Sequence, residues 1–347
     1  MIRIAVVCPG RGSYTRDLLG TLRSTGAGSA SLRAADAFRA ALGRPTPSEM
    51  DAAESYSSRL HVAGENASLL TMAASLVDAD ALGARKADVS VACVLGNSMG
   101  WYTALAVAGA LPQPDAFTLV ETMGQYQAGN VVGGQVLYPL VDDAWRALPS
   151  PELDAALREI PDLHMSIRLG GQAVIGGTQA ALDALMKRLP PRKIGDRDAP
   201  FQLPLHSAFH TPLMRPTSER AFADLADLGW RAPAVPLVDG RGVVFRPHHA
   251  DPAAIRDYTL GAQVTDPYDF AASVRVAMRE YAPDALVLLG PGGNLGGAVA
   301  QVLIAEGWRQ LDSRAAFTRA QAPEGGREGG VPVVLSMARP EQRARVT

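Results

Sequence analysis

The chain has 347 residues, 47% of them hydrophobic, and its 33 lysines and arginines nearly cancel 35 aspartates and glutamates. That length and composition can bury a sizeable core, while the balanced charge supplies no net basic field for nucleic acid or an anionic membrane surface. Cys8 and Cys93 both lie inside apolar runs, where a free thiol packs as a small hydrophobe, so a reducing compartment without disulfides is expected.

The opening run IRIAVVC reads as a buried strand that PGRGS turns into a tight glycine-rich loop, and Pro9 and Gly10 cut it too short for a secretory leader. No stretch reaches the eighteen or so apolar residues of a membrane span, so a soluble, cytoplasmic protein is expected. From about Ala67, ASLLTMAASLVDADAL keeps helical spacing, VSVACVLG returns to a buried strand, and WYTALAVAGAL suits a helix packed on a sheet. Strand and helix alternating in this way predict a parallel sheet covered by helices. Segments 133–141, 165–177 and 192–205 read as strands with helices near 143–159 and 179–189 between them, a small α+β insert. From His210, TPLMRPTSERAFADLADLGW is a helix with a proline-marked start, and APAVPLVDG and DALVLLGPGG are further buried strands. The expected organisation is a discontinuous large domain over 1–130 and 200–318, a small subdomain over 131–199, and a loose tail over 319–347, whose Gly, Glu, Arg and Pro make a poor core.

The stretch LGNSMGW places Ser98 between two glycines, after a strand and before a helix. Gly-x-Ser-x-Gly in that setting is the nucleophile-elbow pattern: the glycines permit a turn that side chains would block, and the helix N-terminus offers backbone N–H groups to a developing oxyanion. A serine nucleophile needs a base, and LPLHSAFHTPLM supplies His210, which closes a strand-like segment just before a helix. His206-x-x-x-His210 does not read as a zinc pair, since Pro204 and Pro212 interrupt a helix and a third ligand is missing. The late run LGPGGNLGG lacks the spacing of a dinucleotide-binding loop and reads as a strand-to-helix turn.

These segments together resemble the malonyl-CoA:acyl-carrier-protein transacylase family, including the acyltransferase domains of polyketide synthases. CPGRGS, LGNSMG, GGQAVIGG, SAFHTPLM, QVTDPYDF and LGPGGNL carry the resemblance, in that order, over roughly residues 2–315. It implies an α/β fold in which an α/β-hydrolase-like large domain with a parallel sheet carries an inserted ferredoxin-like small subdomain. It further implies that Ser98 carries the acyl group as an ester, that His210 acts as base and then acid, and that the backbone of Gln263 orients the histidine. The backbone N–H groups of Arg11 and Met99 would form the oxyanion hole. No bound cofactor or metal is implied; the substrate would be an acyl-CoA or acyl-phosphopantetheine thioester, the partner an acyl carrier protein, and the enzyme a trans-acting monomer.

Departures from the family pattern concern the acyl group. Malonyl-specific members resembling this chain have an arginine within VEMRG; here VETMG puts Met123 in its place. A thioether cannot pair with a carboxylate, and leaving that charge buried would cost several kcal/mol, on the order of a thousandfold in affinity, so a neutral acyl group is expected. Asn66, Asn97 and Phe209 are the other expected substrate-binding positions, and Trp101 follows the elbow in place of an acidic residue. Arg11 or Arg168 could instead hold a carboxylate from another direction. Hydrolysis of carrier-bound acyl groups is a second reading, and an inactive carrier-protein docking module a third, which retention of both Ser98 and His210 disfavours.

Overall fold

The first apolar run forms β1 (Ile2–Cys8), buried without interruption from Ile4 to Cys8. Continuous burial, in place of alternation, is what a parallel strand covered on both faces requires. β1 pairs in parallel with β2 (Val89–Gly96) on one side and β12 (Ala285–Leu288) on the other. β9 (Leu237–Val238), β10 (Val244–Phe245) and β13 (Val334–Ser336) complete a six-stranded sheet in the order β10-β9-β2-β1-β12-β13, antiparallel only between β9 and β10. A computed structural model describes residues 1–85, 87–322 and 332–347 of the chain. The helix Gly64–Gly83 is buried nearly all round, as its apolar composition dictates, and packs against helix Gln113–Gln125.

The second sheet contains β3 (Gly134–Pro139), β4 (Leu163–Leu169), β5 (Gln172–Gly177) and β8 (Phe201–Gln202), with β11 (Tyr268–Asp269) of the large domain added at its edge. Its order, β11-β4-β5-β3-β8, with helices Pro151–Glu159 and Gln179–Arg188 between strands, is a ferredoxin-like βαββαβ arrangement. The stretch 165–177 is thus a hairpin of two strands turning at Gly170, where φ is +61°, and a short hairpin of β6 (Arg192–Ile194) and β7 (Arg197–Ala199) precedes β8.

The loose tail expected over 319–347 is corrected in part. Residues 323–331 lie outside the described residues, but 334–336 form β13 on the open edge of β12, and Val333, Val334, Leu335, Met337 and Val346 are all buried. A short apolar run is enough to fill an edge that offers a ready row of backbone partners. Among the described residues no helix is long and apolar enough to cross a membrane.

Candidate active site

Ser98 stands on the turn from β2 to helix Gly100–Val107 with φ of +54°, a left-handed backbone that costs a non-glycine residue on the order of 1 kcal/mol or more. Its neighbours fix that turn. A Cβ on Gly96 would come closer than 3.0 Å to the backbone of Gly100, and one on Gly100 equally close to the carbonyls of Cys8 and Pro9. The Tyr268 hydroxyl donates to the Gly96 carbonyl at 2.6 Å, and Gln263 Nε2 donates to the Ser98 carbonyl at 3.1 Å.

His210 is 1% exposed and also left-handed, with φ of +61°. Its Nε2 lies 2.7 Å from Ser98 Oγ, its Nδ1 2.6 Å from the Gln263 carbonyl, and its backbone N–H donates to the Val264 carbonyl at 2.8 Å. Gln263 and Val264 belong to the last turn of a helical stretch that starts at Pro252 and loosens into a π turn over Tyr258–Ala262. Carbonyls in a last turn lack an N–H one turn further on, so they are free to accept from the histidine. With Nδ1–H committed to a carbonyl, Nε2 keeps the lone pair that accepts the serine proton. Burial pushes the imidazole down to about 4, the Gln263 carbonyl opposing in part, so the ring is neutral at ordinary pH.

The small subdomain braces the histidine. The Phe209 carbonyl accepts from Ser166 Oγ at 2.8 Å and Gln135 Nε2 at 3.3 Å, and the Phe209 ring faces the cleft. Behind the elbow, Tyr102 donates to Gln263 Oε1 at 3.0 Å. Sequence reading missed Tyr102, Gln135 and Ser166, and also Gln127, which lines the cleft; Gln127 could have been found, because it follows Met123 at helical spacing.

The cleft above Ser98 encloses about 600 Å³ between the two domains, with Arg11, Asn97, Met99, Met123 and Phe209 among its walls. Met123 is 2% exposed and presents only its thioether and methylenes. The N–H groups of Gly100, Trp101 and Tyr102 are taken by the carbonyls of Asn97, Ser98 and Met99, so the helix begins directly at the elbow. The loop after β1 sits beside it, since a Cβ on Gly10 would lie 3.6 Å from that of Ser98.

Two sequence expectations, for Asn66 and Arg168, are corrected by position. Asn66 is not a wall of the cleft: its Oδ1 accepts from Arg39 Nη2 at 2.6 Å and its Nδ2 donates to the Arg59 carbonyl at 3.2 Å. Arg39, fully buried, also pairs with Glu121 at 2.6 Å, and Arg44 joins the same carboxylate. Arg168 points away, because β4 turns Ile167 and Leu169 toward the cleft and leaves Arg168 more than half exposed, 3.9 Å from Asp269. Trp101 is buried behind the elbow, donating to Thr259 Oγ1 at 2.9 Å and packing edge-on to Tyr258. Among the described residues no group of three or more His, Cys, Asp or Glu side chains forms a metal site.

The homologues and structural neighbours of the chain are malonyl-CoA:acyl-carrier-protein transacylases and acyltransferase domains of polyketide synthases. The malonyl CoA-acyl carrier protein transacylase of Salmonella typhimurium is 29% identical over 215 residues, 61% of this chain and 66% of that protein. The crystal structure of MCAT from Mycobacterium tuberculosis is 26% identical, with a TM-score of 0.69 over 87% of this chain and 93% of that one. A type II polyketide synthase acyl-carrier protein in complex with its malonyl-transacylase has a TM-score of 0.70 at 20% identity, over 87% of this chain and 93% of the matched chain. No family model matches the sequence.

Proposed function

We propose, from relatives of this kind and from the contact between Ser98 and His210, that the chain is an acyl-carrier-protein acyltransferase of fatty acid or polyketide biosynthesis. The observation that carries the reading is the 2.7 Å approach of His210 Nε2 to Ser98 Oγ, with Nδ1 held on a carbonyl. His210 takes the serine proton as Oγ attacks the thioester carbonyl of an acyl-CoA or acyl-carrier donor. The charge on the carbonyl oxygen falls to the N–H groups of Met99 and Arg11. The C–S bond then breaks, the leaving thiolate takes the proton from His210, and acyl-Ser98 remains. The phosphopantetheine thiol of a carrier protein reverses these steps: it gives its proton to His210, attacks the ester carbonyl, and frees Ser98, which recovers the proton.

Asn97 and Phe209 shape the acyl site beside the nucleophile, and Met123 supports an acyl group that meets its part of the wall with neutral atoms. Intact-mass measurement after incubation with a panel of acyl-CoA donors tests the reading. One acyl increment is expected on the wild type and none on Ser98→Ala. Labelling that persists in Ser98→Ala would show that another residue is the nucleophile. Holo carrier protein added to the acyl-enzyme should then acquire the label; release as free acid in its place would favour the hydrolase.

A further inference from the structure

The loop that carries His210 hangs between the two domains on a single peptide group. The Phe209 carbonyl accepts from Ser166 Oγ at 2.8 Å and from Gln135 Nε2 at 3.3 Å. The N–H of the same peptide, that of His210, donates to the Val264 carbonyl at 2.8 Å. Gln135 lies on β3 and Ser166 on β4 of the small subdomain, whereas Val264 belongs to the large domain. A peptide group is planar, so holding its oxygen and its hydrogen fixes the plane. That plane sets φ of His210, the +61° at which Nε2 comes within 2.7 Å of Ser98 Oγ.

The strands of the small subdomain are shaped to make this contact. β4 and β5 shift register between Met165 and Ile167, and Ser166 is the residue left over in that irregularity. A bulge of this kind re-aims a side chain beside a site. Ile167 and Leu169 face the cleft, while Ser166 is fully buried with its hydroxyl on the Phe209 carbonyl. Gln135 Nε2 also donates to Ser166 Oγ at 2.8 Å, so the single serine proton is left for the carbonyl. Across the sheet, a Cβ on Gly176 would lie 2.7 Å from Thr211 Cγ2 and 3.4 Å from Ser166 Cβ, so its absence lets strand and loop meet. Within the loop, Thr211 Oγ1 donates to the Ala208 carbonyl at 2.6 Å, whereas the Phe209 carbonyl reaches across to the small subdomain. A left-handed backbone at a histidine persists only where its surroundings over-determine it, and these bonds supply that constraint.

We infer that Ser166, with Gln135 behind it, is a positioning residue for His210 that acts through the Phe209 carbonyl, so that the small subdomain sets the aim of the base. The inference rests on the acyl-serine reading and deepens it: the small subdomain is a wall of the cleft and also a part of the proton-transfer machinery. Ser166 is not among the walls of the cleft, whereas Gln135 is, so a change at Ser166 tests the base without reshaping the acyl site. Without the serine hydroxyl the carbonyl is left to Gln135 at its longer 3.3 Å, the peptide can tilt, and Nε2 leaves its line to Ser98 Oγ.

Ser166→Ala, Ser166→Cys and Gln135→Met are compared with the wild type, each checked for cooperative melting, by two measurements on Ser98. The first is single-turnover loading from an acyl-CoA that the wild type accepts, followed by quenched intact mass over a range of donor concentrations. Ser166→Ala should lower the saturating rate about 10- to 100-fold and leave the half-saturating concentration within about twofold of the wild type. Ser166→Cys keeps a weaker donor in nearly the same volume and should fall between the two. The second is inactivation by a fluorophosphonate, which needs a base-activated serine but presents no acyl-CoA, and its rate should fall by a similar factor. Gln135→Met removes the second donor and the bond that orients Ser166; it should slow both reactions, and it decides the question where Ser166→Ala does not melt cooperatively. A saturating rate in Ser166→Ala within about twofold of the wild type overturns the inference and leaves the transfer reading standing. A loss confined to the half-saturating concentration, or seen with acyl-CoA and not with the fluorophosphonate, overturns it too, because it places Ser166 in substrate binding. A wild type that neither reagent labels overturns the transfer reading, and the inference with it.

Discussion

At the residue scale the proposed chemistry turns on a histidine kept neutral by its surroundings. In that mechanism loading requires His210 unprotonated; burial favours the neutral form and places its titration at about 4. The single-turnover loading rate should therefore be flat from about pH 8 down to about pH 5.5 and fall only below that, as the protonated fraction grows. A decline already centred near the ordinary histidine range would show that the ring is solvated and the site more open than described. The turns that carry Ser98 and His210 were legible in the sequence because glycines and a proline mark turns with a mechanism. The direction of Asn66 and Arg168 was not: a position in a motif says nothing about which face a side chain takes, and β4 carries a register irregularity between Met165 and Ile167 that resets its alternation. Arg39 was illegible too, since a buried arginine is explained only by partners as distant in sequence as Glu121.

At the scale of elements, the elbow is a place where three backbones touch. A Cβ on Gly100 would press on the carbonyls of Cys8 and Pro9, so β1 and helix Gly100–Val107 meet directly beside Ser98. Gly100→Ala should cost about 1–3 kcal/mol in urea denaturation and lower the loading rate more than it lowers stability. An unchanged midpoint would mean that the loop after β1 yields freely. Helix Gln113–Gln125 is set by a different device. Glu121 on it is 6% exposed and answers Arg39 and Arg44, so Glu121→Ala leaves a buried guanidinium uncompensated and should destabilise by about 3–5 kcal/mol. The alternating strand and helix pattern showed these elements, and the second sheet was visible as an insert. The hairpin at Gly170 was hidden because two adjacent glycines read as a flexible interior of one segment.

At the scale of the whole molecule, the C-terminal segment ties the sheet to the loops beside Ser98. Arg343 pairs with Asp78, whose other oxygen accepts from the Gly290 N–H at 2.6 Å. Burial raises the Asp78 carboxyl, and the Arg343 guanidinium and the Gly290 N–H both oppose that rise. The turn that begins at Gly290 packs on the loop after β1, since a Cβ on Gly292 would lie 2.9 Å from the Ser13 carbonyl. Removing residues 332–347 strips five buried apolar side chains from the core and bares the edge of β12. At about 1.5 kcal/mol or more each, that loss matches the whole net stability of an ordinary domain. The shortened chain should therefore show no cooperative melting transition and should collect in the insoluble fraction. Arg343→Ala separates packing from charge: it keeps β13 but leaves Asp78 buried without its cation. It should destabilise by about 3–5 kcal/mol, with slower loading of Ser98 as the Gly290 turn loosens. Normal melting of the shortened chain would show instead that β13 is an ornament on a sheet already complete at β12.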